Sequence, residues 1–204
     1  MKITRYYFEQ IFNSTFEYAV FNYIEFNSEF IKLLFEENKT KIPLKSNIKK
    51  EAQFYLSRSI GINTLKFILN NLCINESLMI NDNFNEGEEY YQFILKLINE
   101  RNKFPKIYFI IKRVHELCNI ILENIETSKD CSKIVANIKL EIHYFPSDFP
   151  INLSEKAKNI EKWHYRGHDC TKYQLVNKYN PKMKFSVFIE KAGSFIEFEI
   201  KRIY

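Results

Sequence analysis

A 204-residue chain with 46% hydrophobic residues can bury a core, which excludes intrinsic disorder, and its length suits one large domain or two small ones. Lys and Arg number 30 against 25 Asp and Glu, so the formal charge is +5, too small by itself to fix a nucleic-acid partner. Four glycines and five prolines are few for the length, and long regular elements are therefore expected to dominate.

In chain order, Tyr7, Phe8, Ile11, Phe12, Phe16, Ala19, Val20, Tyr23 and Ile24 recur at spacings of three and four, which predicts a helix over 3–25. Asn27-Ser28 breaks it, and a second helix follows over 29–37. After a polar linker ended by Pro43, helices are expected over 46–58 and 62–73. The second of these is apolar almost all round and is expected to be central. Residues 75–85 read as a loop. Asn85 and Glu88 have the spacing of a capping box, opening a helix to about 101 with Tyr91, Ile94, Leu95 and Ile98 inward. The longest apolar stripe lies over 104–126, from Ile107 through Ile110, Ile111, Val114, Leu117, Cys118, Ile121 and Leu122 to Ile125, and predicts another helix.

The period changes after the polar stretch 127–132. Ile138, Leu140, Ile142 and Tyr144 alternate with Asn137, Lys139, Glu141 and His143, which predicts a half-buried strand over 134–145. A short helix is expected over 153–163, capped by Asn152, then a loop, then a strand over 172–179. The last 22 residues read as a β-hairpin about Ala192-Gly193, with Ile189 opposite Ile196 and Val187 opposite Phe198, so that one face is wholly apolar. The fold class is therefore α+β. A helical N-terminal two-thirds, 1–130, precedes a region 131–204 built as a small antiparallel sheet of about four strands with one helix, packed as one domain with the first or beside it. No internal repeat is visible.

The charge is uneven. Residues 1–130 carry 17 basic and 17 acidic side chains, and 131–204 carry 13 and 8. A basic C-terminal third points to an anionic partner, while Lys-rich composition alone produces the same excess. The four cysteines are scattered without a CxxC pair, as in a reduced, cytoplasmic protein. Lys2, Arg5, Glu9 and Glu17 interrupt any signal-peptide core, and no run reaches the length of a membrane span, so no membrane association is expected.

Residues 163–170 gather the only tryptophan, two of four histidines, a cysteine, a glycine, an arginine and an aspartate. His164, Arg166 and His168 supply the groups of a metal-independent phosphodiester-processing enzyme such as a small nuclease. Two imidazoles would serve as base and acid, and a guanidinium would hold the phosphate. The alternative for each is structural: histidines capping carbonyls, Arg166 pairing with Asp169, Trp163 plugging the core. His115, Cys118, His164 and His168 are acceptable zinc-ligand types, but no paired-cysteine knuckle accompanies them, and no metal or other cofactor is assigned. Lys172, Lys178, Lys182 and Lys184, with Trp163, Tyr165 and Arg166, form a basic and aromatic set suited to a protein surface or to single-stranded nucleic acid. His143 would join His164 and His168 only if its face of the 134–145 strand met that loop.

No phosphate loop, nucleophile elbow, HExxH or dinucleotide fingerprint is present. These negatives favour a non-enzymatic protein-binding, regulatory or inhibitory module, of the kind found in mobile elements and defence systems. A protein is the expected partner, with nucleic acid as the alternative, and the apolar excess of 1–130 is compatible with a homodimer.

Overall fold

The computed structural model describes residues 2–36, 45–57, 61–82, 87–112, 116–144 and 153–203. Among these are five α-helices: α1 (Lys2–Asn13), α2 (Ser28–Glu36), α3 (Gly61–Asn71), α4 (Glu88–Ile98) and α5 (Leu117–Thr127). The ten strands are β1 (Thr15–Asn22), β2 (Ser46–Leu56), β3 (Leu72–Ile74), β4 (Ser77–Asp82), β5 (Lys106–Lys112), β6 (Asn137–His143), β7 (Lys158–Tyr165), β8 (His168–Val176), β9 (Lys184–Ala192) and β10 (Phe195–Ile203). They form one mixed sheet in the order β1-β2-β4-β5-β6-β10-β9-β8-β7, with β3 paired to the start of β2.

The protein is thus a mixed α/β protein with a C-terminal antiparallel set, and the expectation of a helical N-terminal two-thirds is corrected. β1, β2, β4, β5 and β6 run parallel and lie side by side in that order. A helix crosses over between each pair. Right-handed crossovers that always step the same way put every helix on one face of the sheet. One rung shows the result. Ala52, Leu78, Ile107, Ile138, Ile200, Val187 and Tyr173 are successive register partners, and all are buried. In the parallel part the step from one rung position to the next is roughly 30 residues, the length of one strand–helix unit that must stack on neighbours to bury its core. These units repeat in structure without a recognisable sequence repeat. The sheet passes without a break from 1–130 into 131–204 through the β5–β6 pairing.

In the region 1–130, four stretches read as helix or loop are strands. In β2, Ala52, Phe54 and Leu56 are buried while Glu51, Gln53 and Tyr55 are half-buried on the other face. The Lys, Glu, Ala, Gln and Leu content favours helix, and sheet pairing overrides it. In β5 both faces hold large side chains: Ile107, Phe109 and Ile111 face the helices, and Tyr108 and Ile110 face away. A strand apolar on both faces imitates the three-four spacing of a helix. β1 is rich in Phe, Tyr, Val and Thr, and its Phe16, Ala19 and Phe21 pack against the core. β4 occupies the expected 75–85 loop.

In the C-terminal region the expected helix 153–163 is replaced by β7, so that the antiparallel set needs no helix of its own. α5 covers it instead: Lys178 donates its backbone N–H to the Glu126 carbonyl, and the Asn177 side chain reaches Ile125 and Ser128. β6 and the β9–β10 hairpin lie where the two-residue period puts them. Tyr144, expected to point inward, is exposed, with φ of 60° beyond the end of β6. The hairpin register is two residues from the expected one: Phe198 pairs with Ile189 and Ile200 with Val187. A shift of two keeps every side chain on its face. It places Gly193, with φ of 56°, at the first turn position, where a left-handed backbone suits glycine better than Ala192. Pro43, Asn85, His115, Pro146, Pro150 and Asn152 lie outside the described residues.

Candidate binding surface on the helix-free face

With all helices on one face, the other face of the sheet is left mostly to half-buried and exposed side chains, the buried Cys170 being an exception. Trp163, His168, Cys170, Lys172, Phe188 and Glu190 share it at one side. Their neighbours towards the centre are Glu197, Glu199, Lys139 and Glu141, then Tyr108, Ile110 and Met79, then Gln53, Tyr55 and, on β1, Tyr18 and Val20.

Residues 163–170 are not a loop but the tip of the β7–β8 hairpin, with Arg166 and Gly167 as a two-residue turn. Their φ values of 50° and 84° are the left-handed pair that such a tight hairpin turn needs. Tyr165 pairs with His168, Trp163 with Cys170 and His164 with Asp169. Alternation then puts Trp163, Tyr165, His168 and Cys170 on the helix-free face, and His164 and Asp169 on the opposite one. His164 Nδ1 lies 3.0 Å from Asp169 Oδ1, and His168 Nδ1 contacts Glu190 Oε1. The two imidazoles therefore face away from each other, each with a carboxylate partner. His143 shares the helix-free face with His168, edge-on to Phe195 at 5.4 Å, but β10 and β9 stand between them, roughly 14 Å at about 4.8 Å per strand.

The aromatic candidates do gather. The Trp163 ring stacks against Phe188 at 6.1 Å, and the Arg166 guanidinium lies 5.2 Å over the Tyr165 ring. Both rings keep a large free area: Trp163 is 42% and Tyr165 57% exposed. The basic candidates are dispersed. Lys172 lies mid-strand beside this cluster, whereas Lys178, Lys182 and Lys184 are exposed at the far end of the β8–β9 connection, about 25 Å away at the rise of a strand. Lys178 packs there over Tyr179 at 5.6 Å.

At the centre, Glu141, Glu197 and Glu190 are direct cross-strand neighbours, an arrangement that repels. Lys139 answers it, with Nζ 3.1 Å from Glu197 and 3.5 Å from Glu141. Burial works against the Lys139 charge, and the two carboxylates outweigh it, so its pKa is raised. Tyr108 is held un-ionised first by burial and then by its hydroxyl's hydrogen bond to Glu141. This acidic band would repel a phosphate backbone. Beside it, Glu51, Ser77, Met79, Lys106, Tyr108 and Asn137 line a cavity of about 190 Å³. Of these six residues only Asn137 lies in a segment whose two-residue period the sequence shows, because a strand with a helix-like or loop-like pattern hides which face its side chains share.

Further exposed apolar residues lie at the β1 end of the sheet, Ile3, Tyr6 and Tyr7 of α1 and Phe30 and Leu33 of α2 on the helix side and Tyr18 and Val20 of β1 on the helix-free face, all 41% exposed or more. Tyr7 and Val20 belong to the spacing that predicts a buried helix face over 3–25.

The metal candidates are not assembled. His164 and His168 diverge, and among the described residues no group of three or more His, Cys, Asp or Glu could hold an ion. Cys118 is buried under the sheet, and burial pushes its thiol up to about 12. A raised acid favours the folded state below its ordinary value of 9.0 and loses that contribution as pH climbs towards 12. Cys118, Cys131 and Cys170 are buried, and only Cys73 is partly accessible. Titration with a thiol reagent at pH 8 is expected to show one fast thiol, removed by Cys73→Ser, with the others reacting only on unfolding. Two fast thiols would contradict this burial.

Residues 1–83 match a sequence profile described as a domain of unknown function, DUF8381. The match ends just after β4 and includes α1, β1 and α2, but none of the β7–β10 surface. No curated protein matches the chain. No helix among the described residues is long and apolar enough to cross a membrane.

Proposed function

We propose that the chain is a non-enzymatic protein-binding or regulatory module that presents the helix-free face of its sheet to a partner's surface. The observation that supports this reading is the pair of exposed aromatic residues Trp163 and Tyr165 beside a row of ion pairs on a face that no helix covers. Large rings at low entropic cost, rimmed by charge, suit a protein interface. Two observations weigh against the alternatives. The divergent His164 and His168 do not form the convergent acid–base pair that phosphodiester cleavage needs. The Glu141, Glu197 and Glu190 row disfavours a nucleic-acid backbone across the centre of the face.

The test is capture from host lysate with purified wild-type chain, a Trp163→Ala/Lys172→Glu variant on the helix-free face and a His164→Ala variant on the other. One stoichiometric protein, retained after nuclease treatment, kept by His164→Ala and reduced at least tenfold by the double variant, is the expected result. Release of all bound material by nuclease would replace this reading with nucleic-acid binding. Equal capture by wild type and the double variant would remove the helix-free face from the interaction.

A further inference from the structure

Resting on the protein-binding reading and going further into its geometry, we infer that β7 is a docking edge. It accepts an extended partner segment as an added antiparallel strand, with acid–base complementarity at Glu161 and Lys162. β7 is the last strand of the sheet, paired only with β8, and each of its eight residues is exposed. Its outer backbone groups thus have no strand partner among the described residues. A chain edge of this kind pairs readily with another strand unless it is blunted. Irregular backbone is present only at its start, and further along the charges of Glu161 and Lys162 restrict pairing to a complementary segment. Asn159 has φ of 54° and the register slips between Lys158 and Glu161, while 161–165 keep regular register with β8.

The side chains define the occupant. Glu161, Trp163 and Tyr165 stand on the helix-free face, and Lys162 and His164 on the other. His164 has Asp169 as partner, but Lys158, Glu161 and Lys162 make no ion pair among the described residues, although Glu161 lies in register with Lys172. An added strand would therefore carry a base opposite Glu161, an acid opposite Lys162 and apolar side chains opposite Trp163 and Tyr165. A second copy of this chain fits poorly. Antiparallel pairing about a two-fold axis keeps like faces together. The registers centred on these charges then bring Glu161 onto Glu161 or Lys162 onto Lys162. The opposite edge, β1, has its nearby charge committed, with Lys50 2.9 Å from Glu17 and over the Tyr18 ring.

Trp163 is the only tryptophan, so its emission reports this edge alone. The probe is a capped peptide whose residues facing Tyr165, His164, Trp163, Lys162 and Glu161 in turn are Val, Thr, Val, Glu and Lys. Controls are the same peptide with Glu and Lys exchanged, and one with alternate backbone nitrogens methylated. The expected result is a saturable blue shift with the first peptide and roughly tenfold weaker binding of the exchanged one. The methylated peptide should give no shift. In Glu161→Lys/Lys162→Glu the preference should invert, and since both residues are exposed the variant is expected to fold. No shift, a shift that survives methylation, or unchanged preference in the double variant would each overturn the assignment. So would sedimentation showing a dimer that the peptide dissociates, since the occupant would then be a second copy. Failure here with lysate capture still lost in Trp163→Ala/Lys172→Glu would leave the helix-free face reading standing. Failure of both would end it.

Discussion

Phe67→Ala is expected to destabilise the protein by about 3–5 kcal/mol, the range for emptying a buried aromatic site. Phe67 is 0% exposed, and its ring stacks on Phe26 at 4.0 Å, with Phe12 at 6.4 Å. Phe26 in turn packs edge-on to Phe21 at 5.3 Å, and Phe21 stacks on Phe54 at 4.5 Å. One cluster therefore ties α1, β1, the β1–α2 connection, β2 and α3 together. Removing the Phe67 ring leaves a cavity against α1 and the β1–α2 connection, and forfeits ring pairs with Phe26 and Phe12 worth roughly 0.5–1.5 kcal/mol beyond their area. Urea unfolding followed by circular dichroism reads the change directly. A shift in midpoint with unchanged slope is expected, and Phe67→Leu should restore a substantial part of the loss. A loss below about 1 kcal/mol would mean that the cluster relaxes without cost and is not the keystone of this end of the sheet.

The same cluster explains what the aromatic excess is for. In the N-terminal half phenylalanine mostly faces the helices, while the exposed rings are mainly tyrosines: Tyr6, Tyr7, Tyr18 and Tyr23. Hydroxyls tolerate water, so the division follows from chemistry, but composition alone cannot show it.

Elements with one clean period were legible. α2, α3 and α4 show a helical stripe, and Ile138, Leu140 and Ile142 of β6 alternate with polar residues, as do the strands of the last hairpin. Ile107 to Ile125 misled because it joins a strand to a helix: β5 contributes Ile107, Ile110 and Ile111 from both its faces, and α5 contributes Leu117, Cys118, Ile121, Leu122 and Ile125 from one. The combined series imitates a single stripe. Tyr7 to Ile24 joins α1 to β1 in the same way. β7 failed for the opposite reason. It buries nothing, so it carries no apolar period at all.

The candidate site was half legible. The cluster of chemistry-bearing residues at 163–170 is a real structural feature, a hairpin tip with exposed rings, and Arg166-Gly167 is a turn signal that could have been recognised. Reading it as a loop gave His164 and His168 the freedom to converge, and pairing of Tyr165 with His168 removes that freedom. The acidic row and the β5 side of the face required the register of six strands, which no local pattern contains.

Asn177→Asp is expected to cost about 3–5 kcal/mol at neutral pH, although it changes one amide nitrogen to oxygen. Asn177 is 1% exposed, just beyond β8, and every polar atom of its side chain is used. Nδ2 donates to the carbonyls of Ile125 at 2.7 Å and Ser128 at 2.9 Å, and Oδ1 accepts from the backbone N–H groups of Tyr179 and Asn180 at 2.9 and 2.8 Å. The first pair takes up carbonyls that the C-terminal end of α5 leaves without helical partners. A carboxylate would turn an oxygen onto both carbonyls and set a negative charge at the negative end of the helix. Asn177→Ala loses the bonds without adding repulsion and is expected to cost less, about 2–3 kcal/mol. The two variants should also separate with pH. The substituted carboxyl has its folded pKa raised, so it binds a proton more tightly folded than unfolded, and stability is lost as pH rises through that pKa. Lowering the pH from 7 towards 4 is therefore expected to narrow the gap between Asn177→Asp and wild type while leaving that of Asn177→Ala nearly unchanged. Equal losses that ignore pH would show that burial rather than the donor pair is what matters here. Because this side chain fastens the end of β8 to α5, Trp163 emission should red-shift in the same transition as the far-ultraviolet signal. An earlier shift would mean that the β7–β8 hairpin detaches as a unit.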